Sequence, residues 1–322
     1  MTFASSGLEI ACDESGSEGE KLIGGNTDVF AHASVRLEIE SAADCIEETR
    51  NRAPSPTIEY KSDVIRRKKH REALKWLLGP SSPLHGNAHV YLIDKAFLVV
   101  AKVVELLAAE TSGPRQAVTL YREGPSAFGR DRWHDFLESF NDVLRAKNGR
   151  GPVASVDSAF ELVDSLRLAP GPTGEIMEQL WQARPRVDAF RARLLDDPAV
   201  MPPLDPLLPA IVQAVVHWGA GGEPVSIVHD RQTMLTEERV TQLKGIFAAS
   251  PTGGLTGLRL VVSRTDPRVQ VADLLVGAAR QIAEDELNGQ GDAELTALLR
   301  PYVDAFSIWG DERSWALLGP AS

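Results

Sequence analysis

The feature that most constrains the fold is the segment 8–16, in which a strand pattern runs directly into two adjacent acids. Apolar residues alternate over positions 8–12, as in a short buried strand. Two neighbouring carboxylates are costly in a sheet interior, and the Ser-Gly pair that follows them favours a turn. We therefore predict that the strand ends by presenting Asp13 and Glu14 at the rim of a sheet, where α/β folds place their ligand sites. The alternative is an acid that only caps its own turn.

Strand and helix patterns alternate on both sides of a long middle segment, which predicts an α/β fold with a sheet covered by helices. Further strand patterns occupy 29–39, 88–93, 225–229 and 258–262. From about 112 to 204 the strand patterns disappear, and short polar helical patterns replace them. We expect a discontinuous core, a helical insertion and C-terminal helices, at residues 1–111 with 205–290, at 112–204 and at 291–322.

The cysteine count, the lack of long apolar runs and the net charge disfavour several classes of function. The chain has two cysteines, too few for a disulfide framework or a thiolate metal site. No apolar run approaches the ~20 residues that span a bilayer, and no secretory signal pattern is visible, so we expect a cytoplasmic protein with no membrane partner. The formal net charge of −11 disfavours broad non-specific binding to nucleic acid. A local basic track remains open at 66–71, which is equally typical of a solvated helix start.

Several acids fall where chemistry is expected. Three predicted strands end at Asp13, Asp94 and Asp230. Asp273 lies about two turns inside an otherwise apolar helix, too deep to act as a cap. Burying an unpaired carboxylate costs several kcal/mol, so we expect Asp273 to face a cation or a hydrogen-bonding site. The alternative is an ion pair with Arg280 or with another helix.

Clustered carboxylates without useful cysteines or histidines favour Mg²⁺ or Mn²⁺ over Zn²⁺. Two such ions held about 4 Å apart stabilise both the attacking and the leaving oxygen in phosphoryl transfer. His229, beside Asp230, could be argued as a proton shuttle. Strand alternation puts it on the face opposite Asp230, which favours a core histidine.

Three stretches together resemble the domain-of-unknown-function family numbered 3800, which is grouped with the ribonuclease-H-like fold. They are Asp-Glu-Ser-Gly at 13–16, the strand ending at Asp230, and Gln-x-Ala-Asp-Leu-x-x-Gly at 270–277. Lys61, in Glu-Tyr-Lys, is similar to a lysine of the family in a looser match. The resemblance covers the two α/β portions and not the insertion.

The resemblance implies a ribonuclease-H-like mixed sheet that binds two Mg²⁺ or Mn²⁺ ions through Asp13, Asp230 and Asp273. A fourth ligand would come from Glu14 or Asp94. Such ions activate water against a phosphodiester, which makes a metal-dependent nuclease acting on DNA or RNA the leading hypothesis. The nuclease role is an analogy from fold and acids.

In this hypothesis Asp13 bridges both ions, and Lys61 neutralises or orients a phosphate. The insertion and a set of polar residues would bind the substrate, namely Arg66, Arg67, Lys68, Lys69 and Gln270. The alternative is a non-catalytic module on the same fold that binds nucleic acid or protein, which the net charge favours. A third reading, a haloacid-dehalogenase-like phosphatase, ranks last because Ser15 stands where that class needs a second acid. The sequence does not indicate the oligomeric state.

Overall fold

The computed structural model describes residues 7–57, 60–107, 113–146, 156–197, 200–247 and 254–320. Its strands are β1 (Leu8–Ser15), β2 (Val29–Val35), β3 (Ala88–Asp94), β4 (Val225–Asp230) and β5 (Leu255–Val261). The helices before the return to the sheet are α1 (Ile39–Arg52), α2 (Ser62–Ile65), α3 (Arg71–Leu78), α4 (Lys95–Glu105), α5 (Gly113–Phe128), α6 (Arg130–Leu144), α7 (Val156–Leu166), α8 (Pro172–Gln182), α9 (Arg184–Asp196) and α10 (Leu207–Trp218). The later helices are α11 (Glu237–Phe247), α12 (Pro267–Leu287), α13 (Ala293–Leu299) and α14 (Glu312–Leu318).

The five strands form one sheet in the order β3-β2-β1-β4-β5. Strands β1, β4 and β5 are parallel, whereas β2 is antiparallel to both of its neighbours. Helices cover both faces, so the predicted α/β fold with a mixed sheet flanked by helices is confirmed.

The two faces of β1 are buried in different cores. Because side chains alternate along a strand, Ile10 and Cys12 face one way and Ala11 the other. Ile10 and Cys12 share a core with the aromatic residues Phe136 and Phe140 of α6, which lies in the predicted insertion. Ala11 shares the second core with α12, which packs along β1 and β2. The described helices of the insertion therefore help to form the layer that covers one face of the sheet.

Strand β1 does not end at its last apolar residue, as the pattern over 8–12 predicts, but continues through both acids to Ser15. Antiparallel pairing with β2 extends to Ser15, whereas the parallel pairing with β4 stops at Cys12 and His229. Hydrogen bonds on one side are sufficient to keep the backbone extended. A turn follows at Gly16, which has a φ of +82° and lies against the Val29 carbonyl oxygen, where a side chain has no room.

Helix α12 begins with Asp266 capping the Arg268 N–H and with a proline in the first turn, a pattern typical of a helix start. Near its middle it lies against the start of α2. A Cβ atom at Gly277 would overlap the Ser62 hydroxyl, so this contact requires glycine. The last residue of the Gln-x-Ala-Asp-Leu-x-x-Gly stretch therefore lets α2 approach α12.

The basic run at 66–71, whose composition is typical of a helix start, does not form one continuous helix with the residues that follow it. Helix α2 ends at Ile65, a 3-10 turn covers Lys68–His70, and α3 begins at Arg71. His70 is buried, and its Nδ1 lies 2.8 Å from the Val64 carbonyl oxygen. Because the ring of His70 is buried here, the chain turns between α2 and α3, and the two helices stay separate.

After α13 the chain runs along the outer edge of β3. The Asp304 N–H donates to the Val90 carbonyl oxygen at 2.8 Å, and the Ile308 N–H donates to that of Leu92 at 2.9 Å. This segment covers a sheet edge that would otherwise expose its backbone groups. Among the described helices, none combines the length and the apolar character that crossing a membrane requires.

Candidate metal centre at the end of the central strands

Two of the predicted ligands, Asp13 and Asp230, lie on adjacent parallel strands. The register pairs Cys12 with His229, so the next position along both strands brings the two acids side by side. Strand alternation points both toward α12, on the same face as Ala11 and Val228. Asp13 is only 6% exposed, and Asp230 is half-buried.

Asp273 approaches the same place from α12. Burial raises the pKa of Asp13 well above its usual range, and the charges of Glu14, Asp273 and Asp230 raise it further against one hydrogen bond from the Glu14 N–H. Carboxylates influence one another in this way only at short range. The sheet and α12 therefore concentrate negative charge around Asp13.

One contact of Asp273 is with a backbone amide. Its Oδ2 accepts a hydrogen bond from the Ser62 N–H at 3.2 Å, at the first residue of α2. Arg280, the expected ion-pair partner, instead bonds to Glu284 and donates to the Ser15 hydroxyl at 3.2 Å. Lys61 immediately precedes the amide that contacts Asp273, and it is exposed.

Asp230 is held from the side of β5. Its Oδ1 accepts from the Ser263 N–H at 2.9 Å, in the short turn that follows β5. Two exposed arginines adjoin this contact in the chain, because Arg231 follows Asp230 and Arg264 follows Ser263. Sequence reasoning did not single out these arginines, since the bond between the β4 and β5 ends is not visible in the sequence.

Glu14 faces the other side of β1 and is enclosed there. Burial raises the pKa of Glu14 to about 7, while a hydrogen bond from Gln232 opposes that shift and the charge of Asp230 adds to it. Its Oε2 lies 3.6 Å from His229 Nε2. The His229 Nδ1 lies 2.9 Å from the Asp230 carbonyl oxygen, which can only accept, so Nδ1 carries the proton in the neutral ring.

Four buried polar atoms on this face lack a hydrogen-bond partner among the described residues: Glu14 Oε2, His229 Nε2 and both ring nitrogens of His32. The rings of His32 and His229 stack with centroids 5.4 Å apart. His229 is fully buried, as its alternation predicts. The sequence did not predict that His229 lies beside Glu14. Strand alternation tells which side of the sheet a side chain faces, but it does not tell which residue of the next strand lies beside it.

The structure does not bring Asp94 into the group. It lies at the end of β3, across β2 from β1, and it caps α4 by accepting from the Phe97 N–H at 3.0 Å. Burial raises the pKa of Asp94 to about 6, and hydrogen bonds, the largest from Tyr121, hold it lower than burial alone would. A capping role accounts for this acid.

The predicted substrate-binding residues are dispersed. Arg66 is half-buried and donates to the Gln281 side chain at 3.1 Å, whereas Arg67 forms an exposed ion pair with Asp63 at 3.1 Å. Lys68 and Lys69 are exposed in the 3-10 turn. Gln270 is half-buried, one turn before Asp273 on α12. Burial lowers the pKa of Arg66, and the charge of Asp273 opposes that shift, so Arg66 lies within electrostatic range of the acids.

A different group of side chains has its possible metal-ligating atoms close together. Among the described residues, one group of three or more His, Cys, Asp or Glu side chains has ligand atoms all within 4.8 Å of one another, namely His89, His217 and Asp304. The three acids at the end of the central strands do not form such a group. A single small ion would have to draw them together, whereas two ions about 4 Å apart accommodate a wider set of ligands.

A scan of the chain against models of protein families found no match, and a search of the solved structures found no match either. The resemblance to the family numbered 3800, and with it the ribonuclease-H-like assignment, therefore stays a prediction that is carried by the residues of this chain alone.

Proposed function

We propose that the chain is a divalent-metal-dependent nuclease or phosphodiesterase of the ribonuclease-H-like type. The observation that carries the proposal is the convergence of Asp13, Asp230 and Asp273 from two strands and a helix, with the pKa of Asp13 raised by burial and by the other acids. Mutual repulsion in a half-buried cluster is typical of functional sites.

The sheet supports the ribonuclease-H-like assignment. That resemblance implies a mixed sheet with Asp13, Asp230 and Asp273 as its metal-binding acids. Here β1 and β4 are adjacent parallel strands at the centre of a mixed sheet, and each carries an acid at its carboxyl end. A further acid from a helix packed across these strands completes the implied set.

The donor set fits Mg²⁺ or Mn²⁺, because it consists of carboxylate oxygens. Asp13 would contact both ions, and Asp230 and Asp273 would each hold one. Bound ions of this kind supply the positive charge that activates water and stabilises the leaving oxygen of a phosphodiester. The Ser62 and Ser263 amides fix Asp273 and Asp230 by hydrogen bonds, which limits their rotation.

Exposed cations beside the acids suit a polyanionic substrate on a chain of net charge −11. Lys61, Arg231 and Arg264 each lie within one residue of an acid or of the amide bonded to it. Each can neutralise a phosphate of DNA or RNA near the cleaved bond. Arg66, Lys68 and Lys69 would extend this basic track along the backbone of the nucleic acid.

Glu14 and His229 act as positioning residues in this proposal. His229 donates from Nδ1 to the Asp230 backbone, and its other nitrogen faces Glu14. The pair thereby holds the end of β4, and with it the ligand Asp230, in place. Neither side chain needs to reach the substrate for this role.

The test is cleavage of single-stranded and duplex DNA and RNA with Mg²⁺ or Mn²⁺. We expect Asp13→Asn and Asp273→Asn to lower the cleavage rate by about 100-fold or more, because loss of a ligand removes several kcal/mol of charge stabilisation. Asp44→Asn, at an exposed position on α1, is the matched control and should cleave like the wild type. Equal activity in all three variants overturns the proposal.

A non-catalytic binding module is the second candidate, and the net charge of −11 favours it. It predicts no cleavage with either metal and no Mg²⁺ affinity above background by calorimetry. Binding of a nucleic acid or protein partner would then persist in Asp13→Asn.

A further inference from the structure

We propose that His89, His217 and Asp304 form a second metal site, which takes a transition-metal ion of the Zn²⁺ class and clamps the C-terminal segment to the sheet. It is separate from the central acids in position and in chemistry. His89 faces the layer that contains α10, whereas Asp13 faces α12. Strand β2 lies between β3 and β1.

The three side chains come from three separate elements. His89 lies near the start of β3, His217 near the end of α10, and Asp304 in the segment that runs along the β3 edge. Their ligand atoms all lie within 4.8 Å of one another, and His89 Nε2 is 2.5 Å from Asp304 Oδ2. Tetrahedral Zn²⁺ with bonds of about 2.0–2.1 Å separates its donors by about 3.3 Å. To form the site, His89 Nε2 and Asp304 Oδ2 would have to separate by about 0.8 Å. The rings of His89 and His217, which stack with centroids 4.1 Å apart, would have to rotate so that a nitrogen of each points at one ion.

Surrounding residues hold the ligands in orientation. Gln213 donates to both oxygens of Asp304 at 3.3 and 3.2 Å, and the Phe306 N–H donates to Oδ1 at 2.6 Å. Ligands of bound metals normally have such outer hydrogen bonds. Oδ2 is the oxygen nearest His89 and is the one available to a metal.

Ser34 allows His89 to change its tautomer without losing a bond. The Ser34 hydroxyl accepts from Trp218 Nε1 at 2.8 Å and lies 3.5 Å from His89 Nδ1. A hydroxyl can donate to Nδ1 or accept from it. With a metal on His89 Nε2, the ring would keep a proton on Nδ1, facing Ser34.

The side chains of the cluster are of the kinds that Zn²⁺ binds, because they offer two imidazole nitrogens and one carboxylate oxygen.

The exposed position of His217 provides access, while the other two ligands are buried. Three protein ligands leave a fourth position, which the exposed side of the cluster opens to water. Because Asp304 lies between backbone bonds to β3, a metal held by these ligands joins the C-terminal segment, β3 and α10. The ion is therefore expected to stabilise the fold at the β3 edge.

The experiment titrates Zn²⁺ into the tag-free full chain with excess Mg²⁺ present, which occupies the carboxylate-only cluster. Calorimetry should give one saturable Zn²⁺ site per chain, and the midpoint of thermal unfolding should rise with Zn²⁺. Backbone amides of Asp304 and Ile308 should exchange hydrogen more slowly once Zn²⁺ is bound. Co²⁺ in place of Zn²⁺ should produce visible absorption bands of a low-coordinate site.

His217→Ala is the decisive variant, because an exposed side chain can be removed without disturbing the core. It should bind Zn²⁺ roughly 100-fold more weakly or not at all, since it loses a direct ligand. His85→Ala, at another exposed histidine, should bind like the wild type. Absence of saturable Zn²⁺ binding in the wild type, or equal binding in His217→Ala, overturns the proposal. The Asp13→Asn variant should keep the Zn²⁺ response, so the result does not depend on nuclease activity.

Discussion

The two faces of the sheet carry polar clusters of different composition, and β1 supplies an acid to each. On the α12 face, Asp13 meets Asp230 and Asp273, each of which accepts a hydrogen bond from a backbone amide. On the opposite face, Glu14 meets His229, while His89 meets Asp304 farther along the sheet. Carboxylates gather on one face, and histidine–carboxylate pairs lie on the other.

The comparison shows that pairing decides which ion a cluster suits. A carboxylate beside a histidine can accept a hydrogen bond from the ring, or the two side chains can bind an ion such as Zn²⁺ together. Such a pair does not need Mg²⁺ to balance the carboxylate charge. Burial and then the charges of neighbouring acids raise the pKa of Asp13, and a hard divalent cation would relieve that repulsion. Each face therefore has its own expected metal.

The largest expected effect is a separation of the two metals by mutation. The double variant Asp13→Asn with Asp273→Asn should lose cleavage by about 100-fold or more, because no full ligand set remains for Mg²⁺. It should keep the Zn²⁺-dependent rise in melting temperature. His217→Ala should show the converse behaviour in the same two assays. If either variant loses both properties while staying folded, the clusters are coupled and the comparison fails.

A second prediction concerns the pH dependence of stability in the presence of EDTA. Glu14 has a folded pKa of about 7 against an ordinary 4.5, so the folded protein holds more protons between these values. The contribution of Glu14 to the free energy of unfolding therefore falls as pH rises from about 4.5 to 7. Glu14→Gln should remove up to about 3 kcal/mol of that fall, which makes the variant more stable than the wild type at pH 8.

Urea unfolding at pH 4.5 and pH 8 measures this difference. The matched control is Glu47→Gln, at an exposed position of α1, whose stability should follow that of the wild type. Parallel pH profiles for wild type and Glu14→Gln would show that Glu14 is not buried beside His229 in solution.

The third prediction tests the contact that sets the position of α2 beside Asp273. Gly277→Ala should destabilise the fold by about 2 kcal/mol, because the added methyl group overlaps Ser62. Gly245→Ala on α11 has open space around its Cβ position and should instead stabilise the protein by about 0.5 kcal/mol. Denaturant unfolding distinguishes the two. A neutral Gly277→Ala would mean that α2 does not pack closely on α12.

The smallest effect is expected for the exposed cations. Arg264→Ala should raise the KM for nucleic acid a few-fold and reduce its salt dependence, because one phosphate contact is lost. Arg130→Ala, at an exposed position of α6, is the control and should leave both quantities unchanged. An unchanged salt dependence in Arg264→Ala would remove this arginine from the substrate track.

Much of the local structure could be predicted from the sequence. The strand before Asp13, the start of α12 at Asp266 and the burial of His229 follow from alternation and capping, which depend on near neighbours in the chain. The interrupted basic helix could not be predicted, because the burial of His70 overrides the helical preference of its neighbours. Asp94 resembles Asp13 in sequence, and only its place at the far side of β2 makes it a helix cap.

By itself, the sequence determined the kinds of element, the acids that end strands and the deep position of Asp273 in its helix. The tertiary structure alone decided that Asp230 and Asp273 lie beside Asp13, that Glu14 faces His229, and that distant histidines meet Asp304. The physical reason is that electrostatic and hydrogen-bond partners are chosen by strand register and helix packing. Both bring together residues that are far apart along the chain.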